Sequence, residues 1–138
     1  MQTLYFAALD TRVDCAVISG YFYGVRDSLL EMPNNCCCNI VPRLWEHFDM
    51  GDLGAMIAPR PLLIESGDTD SLNGARGIKN VMSQVAVTRR AYKALKSGDR
   101  LYHDIFAGEH RWNGIHAIPW MKKWVATEGS APRRNRKH

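Results

Sequence analysis

Two short polar segments carry the residues best suited to chemistry: "ESGDTD", with Asp68 and Asp70, and "AGEHRWNG", with Glu109 and His110. Each follows a short apolar run and is marked by glycine, which permits the tight turns that aim side chains across the rim of a sheet. An aspartate and a histidine on neighbouring strand ends can meet in space. The carboxylate would then fix the imidazole tautomer and stabilise its protonated form, so that the histidine acts first as base and then as acid. A plainer reading stands beside this one. Asp68 and Asp70 also suit turn or helix-capping positions, and His110 also suits an exposed loop.

The other candidates point to less. Cys36, Cys37 and Cys38 are consecutive and Cys15 stands apart. Neighbouring cysteines do not bridge without strain, and separated zinc-type pairs are absent, so no disulfide framework or metal site is expected. The usage suits a reducing compartment, which favours a cytoplasmic setting. His103 falls in a strand pattern, His116 in a helical one and His138 in the tail, so these read as structural or solvated. His47 sits beside Glu46 on a helical segment and reads as surface or partner-facing.

The elements that must position Asp70 and His110 follow from periodicity. Residues 2 to 10 read as a helix with apolar spacing but no capping residue ahead of it. "DCAVISGYF" (14 to 22) reads as a strand buried on both faces. Residues 26 to 57 are mixed: "RDSLLEM" allows a helical turn or two, "PNNCCCNIVP" is a loop, and "RLWEHFDMGDLGAMI" resumes helical spacing with two glycines as punctuation. Leu62, Leu63 and Ile64 make a second strand that runs into a turn at Ser66-Gly67-Asp68. Residues 74 to 99 form an amphipathic helical region with Ile78, Met82, Val85, Tyr92 and Leu95 inward and Gly98 as its C-terminal cap. "RLYHDIF" (100 to 106) is a third strand. Residues 115 to 127 are a last helix, with Pro119 in its first turn and Ile118, Trp120 or Met121, and Trp124 inward.

Strands alternating with helices imply an α/β fold with about three parallel strands. Ligands in such sheets bind beyond the carboxyl ends of the strands, where both polar segments lie. Three strands make a thin sheet for this class, and the first helix has no strand before it to cross over from. The architecture therefore reads as part of a larger one, with an unpaired edge open to self-association. Residues 1–127 form this partial domain, and 128–138 form a basic tail ending "PRRNRKH". The net charge of +4 sits mostly in that tail. The tail reads as a solvated terminus, so no nucleic-acid partner is expected. No run of about 18 apolar residues suggests a membrane span.

The segments "DMGDLGAMIAPRPLLIESGDTD" and "YHDIFAGEHRWNG" resemble the acid and histidine segments of α/β-hydrolases, nearest the acetyl xylan esterase and dienelactone hydrolase-like branch. "IAPRPLLI" followed by Gly67 and Asp70 matches the acid pattern, and Phe106, Gly108 and His110 match F-x-G-x-H. "TLYFAALDTRVDCAVISGYF" resembles the helix and sixth strand that follow the nucleophile elbow. The resemblance runs over residues 1 to 126 and implies the C-terminal half of an α/β-hydrolase fold. It implies Asp70 as the triad acid (Asp68 as fallback), His110 as the base, and Trp112 as a substrate-facing aromatic. It also implies an ester or acylated-carbohydrate substrate and no cofactor. Tyr21, Phe22, Tyr23 and Trp45 would then line a substrate-side wall or pack in the core. Prolyl oligopeptidase-like peptidases share the same two segments.

The resemblance also exposes what is absent. In that family the nucleophile stands in G-x-S-x-G directly before the helix that opens this sequence. None of the seven serines here has glycine at both flanking offsets, and none of the four cysteines does. Ser19 is the nearest substitute. Gly74 stands where related acid loops carry proline. The expectation is a carboxylic ester hydrolase that lacks its nucleophile and most of its oxyanion hole, and is inactive as this chain alone. A hydrolase-like binding module without catalysis is the alternative.

Overall fold

A computed structural model describes residues 1–32 and 36–128. The expected basic tail, apart from Glu128, and residues 33–35 of the expected loop lie outside the described residues. The remainder alternates as α1 (Gln2–Leu9), β1 (Ala16–Ser19), α2 (Met50–Ile57), β2 (Leu62–Gly67), α3 (Ile78–Ala94), β3 (Leu101–Phe106) and α4 (Ala117–Glu128). The strands form one parallel sheet in the order β1-β2-β3. β2 is central and buried along its whole length, as befits a strand covered on both faces.

Register assigns the two faces. Ala16 and Ile18 align with Leu62 and Ile64, and these four join Leu4, Ala7 and Ala8 of α1, Met50, Leu53 and Ile57 of α2, and Val81, Val85 and Tyr92 of α3 in one core. On the other face Glu65 aligns with Asp104 and Leu63 with Tyr102. Tyr102 stacks on Trp120, which places α4 over that side. The loops that carry Asp70 and His110 leave from the carboxyl ends of β2 and β3, which share a register through Gly67 and Phe106.

Long-range polar contacts lock this frame. Arg60, between the two prolines of "APRPLL", donates to the carbonyls of Ala7, Asp10 and Val13 at 2.6–2.9 Å. It thereby closes the C-terminal end of α1, whose last carbonyls lack helical partners. α2 opens with a capping box between Asp49 and Asp52, which satisfies its first amides. Its glycines are contact points rather than punctuation. A Cβ at Gly51 would lie 2.7 Å from the Gln84 carbonyl, and one at Gly54 2.5 Å from Thr88 Oγ1. α3 can therefore lie close against α2, and Thr88 Oγ1 donates to the Gly51 carbonyl.

Several elements differ from the periodic reading. α3 spans Ile78–Ala94 rather than 74 to 99, and Lys96, with φ of 52°, takes the left-handed position expected of Gly98. Its buried face carries Asn80, Val81, Val85, Thr88 and Tyr92, while Met82 and Leu95 are exposed. The reason is polar: Asn80 Nδ2 donates to the carbonyls of Gly24 and Asn73 and to Ser28 Oγ. A buried amide so satisfied substitutes for an apolar residue at that position. In α4, Ile118 and Met121 are exposed and Ala117 is fully buried. Only Ala16–Ser19 of the expected first strand pairs, and Phe22 and Tyr23 beyond it are core residues. "RDSLLEM" contributes one π-type turn, Arg26–Leu30, and "RLWEHF" one 3₁₀ turn, Leu44–Glu46, rather than a continuous helix.

Candidate active site

β2 ends at Gly67, and the chain turns through Asp68-Thr69-Asp70 directly beside the loop that leaves β3. The two loops are stitched together. Asp68 N donates to the Phe106 carbonyl, Thr69 N donates to the Gly108 carbonyl, and Asp68 Oδ1 accepts from Gly108 N at 2.9 Å. Asp68, the fallback acid, is therefore the clamp on the start of the histidine loop.

Asp70 has two engagements. Its Oδ1 accepts from Leu72 N at 2.9 Å, capping the 3₁₀ turn Ser71–Asn73. Its Oδ2 lies 2.8 Å from His110 Nδ1. The capping reading and the pairing reading thus hold together. The Asp70 side chain is 1% exposed, whereas that of His110 is 51% exposed. A buried carboxyl holding one ring nitrogen leaves Nε2 as the nitrogen that can act on something outside. The ring lies over the end of β1. Gly20 has φ of +63°, and a Cβ there would stand 2.7 Å from His110 Cε1. Any other residue would be strained in backbone and would displace the imidazole.

Gly74 ends the acid turn with φ of +86°, which proline cannot adopt. A Cβ there would also meet Cβ and the carbonyl of Asp27 within 2.9 Å. The departure from the related acid loops therefore has its own local cause. Trp112 is on the histidine loop and exposed, with its ring against Gly114. Tyr21 and Tyr23 rings pack at 5.2 Å, and Trp45 is exposed on the turn after Arg43. His47 is exposed and edge-on to Phe48. His116 precedes α4 rather than lying within it.

Two residues not singled out in the sequence also hold the histidine loop. Asp104 Oδ2 accepts from Asn113 Nδ2 at 3.0 Å, and Asp104 Oδ1 lies 3.9 Å from His116 Nε2. Glu65, fully buried in β2, accepts from Gly114 N at 2.8 Å through Oε1. The available signal was a glutamate inside an otherwise apolar strand, "LLIES". On the opposite face of β3, His103 Nε2 lies 3.2 Å from Ser66 Oγ. Burial, reinforced by Arg89 and opposed by Asp104, pushes its pKa down to about 4, so it is neutral at ordinary pH.

This sheet, with an acid and a histidine at the carboxyl ends of adjacent parallel strands, has the fold of the C-terminal part of an α/β-hydrolase. Several solved structures share it, two of them as follows. One, described as an acetyl xylan esterase from Bacteroides fragilis, superposes with a TM-score of 0.66 at 16% identity, covering 88% of this chain and 39% of that one. A carbohydrate esterase family 15 glucuronoyl esterase from Caldicellulosiruptor kristjansonii gives 0.62 at 18% identity, covering 91% and 40%. The chain thus spans about two fifths of the length of each. No protein-family profile matches the sequence, and no curated protein matches it.

Proposed function

We propose that this chain is the C-terminal portion of a serine esterase and supplies the acid and the histidine of its catalytic triad. The observation that carries the reading is the 2.8 Å contact between His110 Nδ1 and the buried Asp70. With Nδ1 so held, Nε2 takes the proton of a serine hydroxyl as that oxygen attacks an ester carbonyl. The same nitrogen then returns a proton to the leaving alcohol, and water releases the acyl group by the reverse sequence. Asp70 orients the ring and stabilises the imidazolium. The serine belongs to a segment outside this sequence, and so do most donors to the oxyanion. That segment would pack on the outer edge of β1 and on the apolar face of α1. Trp112 is the aromatic facing the substrate. Small esters or acylated carbohydrates are the substrate class, in keeping with the described activities of the two structural neighbours. The chemistry needs no cofactor.

Alone, the 138-residue chain is expected to hydrolyse p-nitrophenyl acetate no faster than free imidazole at equal concentration. Joined to an upstream segment bearing G-x-S-x-G, it is expected to turn over. His110→Ala should then cost about six orders of magnitude in kcat. Enzyme-like, His110-dependent turnover by the chain alone would overturn the proposal, as would a joined enzyme indifferent to His110.

A further inference from the structure

Four carboxyl groups hold the histidine loop. Asp68 takes Gly108 N, Asp70 takes His110, Asp104 takes Asn113 Nδ2, and Glu65 takes Gly114 N. Glu65 differs from the rest. It is 0% exposed, in the middle of the central strand. Among the described residues its Oε2 has no hydrogen-bond partner. A carboxyl group in that position is costly, since burial strips its water and one oxygen recovers nothing. An apolar side chain would serve packing better. Among the described residues the one bond its carboxyl makes runs to a backbone amide four residues beyond His110.

We propose that Glu65 is a positioning residue for His110, acting through Gly114. The proposal rests on reading His110 as the general base held by Asp70. The half-exposed imidazole is not fixed by its own burial. It touches Gly20 on one side and Asp70 on another, and both contacts depend on where the loop backbone runs. Asp68 fixes the loop at Gly108, before the histidine, and Glu65 fixes it at Gly114, after it. Residues 108–114 are therefore tethered at both ends to β2 and the turn that follows it. Without Glu65 the loop keeps the side-chain bond from Asn113 to Asp104 but loses its backbone anchor after the histidine, so the ring spends less time against Asp70; small misplacement of a catalytic group is expensive in rate. The second tether reaches the loop from inside the sheet, through an acceptor whose residue is fully buried.

The test uses the isotopically labelled 138-residue chain and two readouts. One is the His110 Nδ1–H resonance, shifted downfield by its bond to Asp70 and assigned by its loss in Asp70→Ala. The other is hydrogen exchange at the Gly114 amide. Glu65→Met keeps the volume and removes the acceptor. It should speed Gly114 exchange about tenfold and lose the Nδ1–H resonance to exchange with water, with sheet amide shifts unchanged. Glu65→Gln keeps an acceptor oxygen and should preserve both signals. An unchanged resonance in Glu65→Met overturns the positioning role while leaving the Asp70–His110 pair intact. A Gln variant that behaves like the Met variant overturns it as well. Absence of the resonance from the wild-type chain overturns the pair itself, and the positioning role with it. Should Glu65→Met not fold, Gly114 exchange in the wild-type chain decides. A protected amide supports the tether, and an unprotected one refutes it.

Discussion

The two flanks of the sheet are unlike. Beyond the carboxyl ends of β2 and β3, polar contacts dominate: Asp68, Asp70, Asp104 and Glu65 each take a donor from the histidine loop. On the β1 side, α1 exposes Phe6 at 58% and Leu9 at 69%, and among the described residues β1 pairs with β2 alone. The contrast teaches that two strands and their loops suffice to bring Asp70 and His110 together. It also marks where a further layer fits, because an apolar helix face beside an open strand edge is an adhesive surface.

The largest effect should come from separating the two flanks. Arg60→Ala removes three charge-assisted bonds to the end of α1 and the linker after it. It should cost about 4 kcal/mol of stability in urea unfolding. It should also raise protease sensitivity in residues 1–15 before it disturbs the Asp70–His110 contact. Equal loosening of both flanks would break the comparison.

Next comes pH. The folded-state pKa of His103 is pushed down to about 4 from an ordinary 6.5, so between those values the unfolded chain binds the extra proton. Its contribution is fully present above pH 6.5 and is lost as pH falls toward 4, amounting to roughly 3 kcal/mol. His103→Gln, which keeps a partner for Ser66, should remove that part of the acid slope in a thermal-unfolding series. An unchanged slope would show that other groups carry it.

Smaller still is Asp68→Ala. It unpins Gly108 at an exposed bond and should cost about 1 kcal/mol, with faster exchange at the Gly108 amide. Last, Phe6→Lys with Leu9→Lys should change stability by no more than about 0.5 kcal/mol, yet shift the chain toward monomer in sedimentation. A chain already monomeric before substitution would remove the adhesive reading of the α1 flank.

How far the sequence disclosed this depends on range. β2, β3 and the pair Asp70 and His110 were legible because each segment carries its pattern locally: an apolar run, a glycine and then the polar residue. Asp68 could not be separated from Asp70 by spacing, since the choice depends on which oxygen meets a loop 40 residues away. Glu65 stayed hidden for the same reason, its partner being 49 residues on. The face of α3 was misjudged at Met82 and Leu95 because periodicity weighs apolar residues, whereas Asn80 and Thr88 are buried by bonds to α2 and the loop after β1. The glycines of α2 read as breaks because their neighbours lie in another helix.

Everything proposed for this site depends on Asp70 holding His110 in this chain as it stands. The direct measurement is the long-range nitrogen–proton spectrum of the histidine imidazoles at neutral pH. The expected result is His110 with its proton on Nδ1 and a hydrogen-bonded, downfield Nδ1–H signal that disappears in Asp70→Ala. A His110 ring averaging over both tautomers, with a spectrum indifferent to Asp70, would contradict it.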